Sequence, residues 1–367
     1  MNQQLDRKTL NQILQAKDIQ ALSFPALLEL FRQEKGLADF LPDGICQIDP
    51  RNGDRILFNS SRARRPHDNR PADSNAPKKQ EACVVCQGKT TGVIDVADLS
   101  EGFTFINKNL FPALYPLQAH ASHHLADGVK PDSGVKPQRS HGLHLLQWTS
   151  SLHDKDWHNM PLQDRVVVMQ RLAALERKLL TDGKTSFVSI IKNYGRLVGG
   201  SLVHGHQQIA LSNVMPRRIH DNWRFEKERG EKFSAYMMRE NPAKLLIRDY
   251  GAAVLLTPYF MRRPYDMMLL VKDTGKQHIH ELTEPEIEAV AKGWRDALRA
   301  ILSIMPGIGR ETAYNVVTHN GPGAGLYFEF LPYVQETGGF EHLGLFVCQG
   351  NPKSAAVQIN EFLKHPL

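Results

Sequence analysis

The chain has 367 residues, 41% of them hydrophobic and 23% charged, with a formal net charge of +6 and a mean hydropathy of −0.37. This length suits two ordinary domains or one large one with a substantial core. No apolar run approaches the roughly 20 residues that cross a bilayer, and the start, MNQQLDRKTLNQIL, lacks the apolar core of a secretion signal, so a cytoplasmic protein without a membrane partner is expected. Cys46, Cys83, Cys86 and Cys348 are too few for a disulfide framework. Basic residues gather at Arg62-Ala63-Arg64-Arg65 and Arg217-Arg218 rather than in a stripe interleaved with aromatics. Compact arginine clusters suit small polyanions and argue against nucleic acid.

Residues 1–45 read as a helical extension, with Leu10, Ile13 and Leu14 at helical spacing and a second apolar run from Phe24 to Phe31. At Ile48 the texture changes, and the Asp49 to Asp54 stretch reads as a turn feeding a strand that ends at Phe58. Residues 66–81 are polar and proline-containing, a loose loop. Strands are expected at 103–107 and 143–148, then a helix at 161–180 with Val168, Leu172, Leu175 and Leu179 on one face, then strands at 186–192 and 202–211. Between the first two strands, residues 120–141 are rich in His, Gly, Lys and Pro and show no periodicity; a lid and a disordered insertion both remain open.

The pattern then repeats. Strands are expected at 252–257 and 266–272, and Thr283-Glu284-Pro285-Glu286 is a capping box announcing a helix to about Ile304. Closing strands follow at 312–318 and 326–331. Two successions of strand, strand, helix, strand, strand suggest an internal duplication. The expected class is α+β, with antiparallel sheets carrying helices, an N-terminal domain at 46–215 and a C-terminal domain at 216–367.

The chemistry concentrates in Val203-His204-Gly205-His206-Gln207-Gln208, directly after the glycine turn Gly199-Gly200-Ser201. In a strand at 202–211, His204, His206, Gln208 and Ala210 share one face. Two imidazoles and a carboxamide beside free backbone amides make a phosphate-handling surface, in which one imidazole can attack phosphorus and the other bind a metal or hold the geometry. A polar strand face open to solvent is the plainer alternative. Cys83-Val84-Val85-Cys86 has the spacing of a metal knuckle or a redox pair. It supplies two ligands, and zinc wants four. Where the first repeat carries His204 to Gln208, the second carries Tyr327-Phe328-Glu329, so one copy is equipped and the other degenerate.

Six ordered markers carry a resemblance to the galactose-1-phosphate uridylyltransferase family of the histidine-triad superfamily. They are Asp49-Pro50 with Gly53 and Arg62-Ala63-Arg64-Arg65-Pro66; Cys83 to Gly88; Asn109-Leu110-Phe111-Pro112; Thr149 to His153; Asn193-Tyr194-Gly195 through Gln208; and Gly339-Phe340-Glu341 with Asn351-Pro352. The resemblance runs from about Ile48 to the C-terminus. It implies tandem histidine-triad-like domains, the first active and the second degenerate. It also implies a nucleotidyltransferase that moves a nucleoside monophosphate from a nucleotide sugar to phosphate or a sugar-1-phosphate.

By that resemblance His206 is the nucleophile, forming a nucleotidyl-histidine intermediate. Gln208, Ser201 and the amides of Gly199 and Gly200 would stabilise the phosphoryl oxygens. Arg62 and Arg65 would neutralise the diphosphate. Asn109 and Asn193 would contact the nucleoside or cap loops, and Glu341 would bind sugar hydroxyls or cap a turn. One structural zinc would be held by Cys83, Cys86, His153 and His204. Three departures stand out: Gly205 replaces the family's proline, Arg218, Tyr327 and Glu329 are a poor ligand set for its second metal, and Gln335 replaces its sugar-phosphate lysine. A phosphorylase or hydrolase of an ADP-sugar or dinucleoside polyphosphate, and a non-catalytic zinc-containing nucleotide-binding protein, remain the alternatives; a homodimer is compatible with either.

Overall fold

The computed structural model describes residues 4–49, 53–59, 61, 83–116, 138–181 and 187–364. Arg62, Arg65 and most of the 120–141 stretch lie outside them.

Two short helices open the chain, α1 (Arg7–Ile13) and α2 (Phe24–Arg32), each started by a side chain that accepts a backbone N–H, Asp6 from Thr9 and Ser23 from Ala26. The extension is fastened to the body by buried charges. Asp95 accepts the Ile19 amide and pairs with Arg171, and Lys108 reaches the Leu30 carbonyl and Glu34. β1 (Ile45–Ile48) and β2 (Arg55–Phe58) then form a hairpin across the expected turn.

The first half continues with β3 (Val93–Asp98), β4 (Phe103–Lys108), β5 (Gln138–Arg139), β6 (Gly142–Trp148), α3 (Leu162–Thr181), β7 (Phe187–Tyr194) and β8 (His206–Ser212). The second half holds α4 (Arg217–Arg229), α5 (Phe233–Glu240), β9 (Leu246–Asp249), β10 (Ala253–Leu256), β11 (Met267–Val271), α6 (Glu284–Gly307), β12 (Tyr314–His319) and β13 (Tyr327–Pro332). A short α7 (Gly339–His342) and α8 (Pro352–Lys364) end the described chain.

Among the described residues, ten antiparallel strands form one sheet in the order β3-β4-β6-β8-β7-β12-β13-β11-β10-β9. Read from each outer edge inward, the two halves have the same order, and they meet where β7 pairs with β12. Each half therefore has five main strands. The expected four-strand unit lacked β3 and β9. The two helices that follow the third strand, α3 and α6, share one face. They bury a common core in which Trp157 meets Trp294 with ring centroids 4.8 Å apart.

Strand periodicity sorts the rest. Ile209 and Leu211 of β8 and Phe328 and Phe330 of β13 point into the α3–α6 core. The alternate residues of β8 and β13 point to the other face. There Leu5 and Leu10 cover the first half against Phe105 and Trp148, and Met237 of α5 covers Val254, Leu256 and Met268 in the second. The functional residues sit on this second face. No helix among the described residues is long and apolar enough to cross a membrane.

Candidate active site

β8 begins at His206 and not at Leu202, so His204 reaches the site from the preceding loop. Its carbonyl still fixes the neighbouring ring: His206 Nδ1 donates to His204 O at 2.9 Å. That bond sets the tautomer and leaves Nε2 as the ring's lone-pair nitrogen. Burial, with the Lys192 charge nearby, pushes the His206 imidazole down to about 4, so it is neutral at physiological pH. Trp148 tilts against it at 4.9 Å between centroids.

Gln208 follows on the same face. The Ala113 amide donates to His144 Nδ1 at 2.9 Å, so His144 Nε2 carries the proton and donates to Gln208 Oε1 at 3.1 Å. With its oxygen held, Gln208 presents the NH2 end of its carboxamide. Gln207 points to the opposite face, accepting from Trp157 Nε1 and donating to Gln147. The expected alternation therefore holds from His206 onward.

The turn before the strand is tight for a steric reason. Gly195 and Gly199 have φ of +88° and +81°, and a Cβ on Gly200 would lie 2.8 Å from the Gly195 backbone N and O. Asn193 on β7 is held by Asn315 of β12, whose Nδ2 donates to its Oδ1 at 2.8 Å and to Val198 O at 3.3 Å. Asn315, from the degenerate half, thus orders the glycine turn; only the β7–β12 pairing brings it there. Ser201 lies in the loop that follows, half-buried.

Beneath the His206 strand lies an ion pair with no local sequence signal. Lys192 Nζ is 2.7 Å from Asp156 Oδ2, both side chains buried, and also donates to His206 O at 3.2 Å. Asp156 explains Gly205. A Cβ at that position would sit 2.6 Å from the Asp156 carboxylate carbon, so the pair occupies the space the family's proline would need.

Cys83, Cys86, His153 and His204 place one ligand atom each within 4.8 Å of one another. His204 Nδ1 lies 3.7 Å from Cys83 Sγ and 3.5 Å from Cys86 Sγ, and His153 Nδ1 lies 3.7 Å from Cys86 Sγ. Zinc bonds of about 2.3 Å to sulfur and 2.0 Å to nitrogen in a tetrahedron require S···N edges of about 3.5 Å. His204 Nε2 donates to Ser150 O at 2.7 Å, which turns Nδ1 toward the sulfurs. Burial and the adjacent Cys83 sulfur push the Cys86 thiol up to about 12, so a cation is what would hold it as a thiolate. The four residues fit a tetrahedral metal.

Other candidates make hydrogen bonds within their own loops. Asn109 Oδ1 accepts the Phe111 amide and caps its own turn. Glu341 accepts the Gly338 and Val347 amides, and these bonds lower its carboxyl below the usual range. Gln335 is buried, donating to Val347 O and accepting from Gln349 N, so it braces the C-terminal loop. In the second half, Glu329 lies on β13, the counterpart of β8. It pairs with His319 at 2.7 Å, and Tyr327 donates to Asn222 while stacking on His319.

The site thus sets a neutral, tautomer-fixed imidazole on a duplicated antiparallel sheet, next to a Cys2His2 cluster. No protein-family profile matches the chain. It is 22% identical over 335 residues to the ADP-glucose phosphorylase of Arabidopsis thaliana, spanning 85% of this chain and 91% of that protein. A uridylyltransferase structure superposes with a TM-score of 0.68 at 20% identity, over 87% of this chain and 98% of the other. The structure of an ADP-glucose phosphorylase from Arabidopsis thaliana with bound ADP-glucose gives 0.61 at 18% identity, over 86% and 98%. In fold the chain is therefore similar to uridylyltransferases and to ADP-glucose phosphorylase, in line with the resemblance its motifs carry.

Proposed function

We propose that the protein transfers a nucleoside monophosphate from a nucleotide sugar to phosphate or a sugar-1-phosphate through a nucleotidyl-His206 intermediate. His206 Nε2 attacks the α-phosphorus and the sugar phosphate leaves with the bond electrons. The incoming phosphate oxygen then displaces the imidazole. Neutral imidazole suits both steps, being nucleophilic at physiological pH and a competent leaving group from phosphorus. Gln208 Nε2, Ser201 and the Gly199 and Gly200 amides donate to the non-bridging oxygens, and Arg62 and Arg65 neutralise the diphosphate. Cys83, Cys86, His153 and His204 would hold one structural zinc, tying the cysteine loop to the nucleophile's loop.

The observation that carries this reading is the His206 Nδ1 bond to His204 O, which leaves Nε2 unprotonated on the strand face that also carries Gln208. Inorganic phosphate is the favoured acceptor, because Gln335 is committed to the C-terminal loop and no lysine replaces the family's sugar-phosphate contact there. The relative that acts on ADP-glucose points the same way. Exposed Phe340, Leu343 and Leu345 on that loop support a homodimer.

Intact-protein mass spectrometry after incubation with separate ADP-, UDP- and GDP-sugars tests the chemistry. One sugar should leave a nucleoside-monophosphate adduct that phosphate discharges, and His206→Ala should abolish adduct and turnover while retaining the metal. An adduct that persists in His206→Ala, or that maps elsewhere, overturns the mechanism.

A further inference from the structure

A second cluster of ligand-type side chains lies away from the cysteines. Glu176, on α3, is fully buried, and His278 and His280 approach it from the segment that precedes α6. One ligand atom of each lies within 4.8 Å of the other two. His280 Nδ1 is 3.0 Å from Glu176 Oε2, and His278 Nδ1 is 3.5 Å from Oε1. Bonds near 2.1 Å to nitrogen and oxygen require edges of about 3.0 Å at right angles and about 3.4 Å in a tetrahedron. The two N···O edges, one to each carboxylate oxygen, lie within about 0.1 Å of those values.

Two observations separate this cluster from a hydrogen-bonded staple. His278 Nδ1 is sealed from solvent and makes no hydrogen bond of ordinary geometry, its approach to Glu176 Oε1 at 3.5 Å being longer than a well-formed bond. A buried carboxylate also needs positive charge, and Glu176 faces the two imidazoles, the His280 backbone amide and the Asn320 amide. The two rings stack with centroids 5.3 Å apart and planes 19° from parallel. One divalent cation between them and the carboxylate meets both needs. Asn320, 1% exposed, donates to Glu176 Oε1 at 2.8 Å, the outer-shell bond that orients a ligating carboxylate.

We propose that Glu176, His278 and His280 form a second divalent-metal site, bound by two imidazole nitrogens and the Glu176 carboxylate with water completing the shell. The ligand set suits zinc or another first-row divalent ion and contains no sulfur. Its place gives it a job. It clamps the helix of the first half to the entry of the helix of the second, where Arg177 also donates to His280 O. The site acts on the cohesion of the halves and not on phosphoryl transfer.

The full chain is purified and its zinc measured by elemental mass spectrometry after dialysis. Two equivalents are expected in the wild type, one in His278→Gln with His280→Gln, and one in Cys83→Ser with Cys86→Ser. Asn320→Ala should weaken the second equivalent by roughly 10–100-fold, the usual outer-shell effect. Should the histidine variant fail to fold, wild-type protein carrying one zinc is titrated with Co2+. Uptake of one equivalent without a thiolate-to-cobalt charge-transfer band supports the site. A single zinc that only the cysteine variant loses, with no cobalt uptake, overturns it.

Discussion

Lys192→Met tests whether the buried ion pair under His206 holds the site. The substitution preserves apolar length but leaves Asp156 as an unpaired carboxylate at 7% side-chain exposure, packed on Gly205. Removing one partner of a buried pair costs about 3–5 kcal/mol. Unfolding entropy near 2.1 cal/mol/K per residue gives about 0.8 kcal/mol/K for this chain, so the thermal midpoint should fall by roughly 4–6 °C. The lost bond from Lys192 Nζ to His206 O also frees the nucleophile's strand, so turnover should fall more than melting alone explains. Lys192→Met with Asp156→Leu should recover most of the stability, because an apolar pair of similar volume tolerates burial. Calorimetry at one scan rate on wild type, both single variants and the double variant reads this directly. A double variant no more stable than Lys192→Met would refute the charge argument, and so would a single variant within 1 °C of wild type.

Cys83→Ser with Cys86→Ser should lose the metal of that cluster and several degrees of thermal midpoint, measured by elemental analysis and calorimetry; a fully stable, metal-free wild type would remove the claim. Asp266 is buried with Oδ1 unpaired, and burial raises its carboxyl to about 7. A raised folded value means its contribution is intact below the unfolded value near 3.8 and is lost as pH climbs to about 7. Asp266→Asn should therefore match wild type near pH 4 and exceed it at pH 8 by about 2–4 kcal/mol, since each pKa unit is worth about 1.4 kcal/mol. A stability difference that does not change between those two pH values would defeat this assignment.

Much of the site is local and so was readable. His206 and Gln208 alternate along a strand, the α3 stripe of Val168, Leu172, Leu175 and Leu179 is buried as its spacing implies, and Thr283 with Glu286 does close a capping box. The misses have physical causes. β3 contains buried Asp95, which breaks the apolar pattern because it serves Ile19 N and Arg171 and not water. β9, with the sequence Leu-Ile-Arg-Asp, lies at the sheet edge, where one ladder side is unpaired and charged residues are tolerated. Lys192, Asp156 and Asn315 act through partners far off in sequence or across the sheet, and no spacing rule reports such pairs. His153 shows no periodic signal in Ser150-Ser151-Leu152-His153; only the family resemblance pointed to it.

Gly205 joins these threads. A proline at this place, the residue the resemblance leads one to expect, would fix the backbone between His204 and His206 through its ring. Here that space belongs to the Asp156 carboxylate, which Lys192 and the Trp157 amide hold from two sides. Rigidity therefore comes from a buried ion pair and not from a ring. Gly205→Ala should then destabilise by about 1–3 kcal/mol, the ordinary cost of overpacking a closed core, and should slow adduct formation by displacing His206. In the Lys192→Met, Asp156→Ala background the carboxylate is gone and the added methyl has room, so the same substitution should be close to neutral. Thermal midpoints and single-turnover adduct rates for the four proteins form a cycle. Additive effects would mean that Asp156 does not set the residue at 205, and that the glycine is there for another reason.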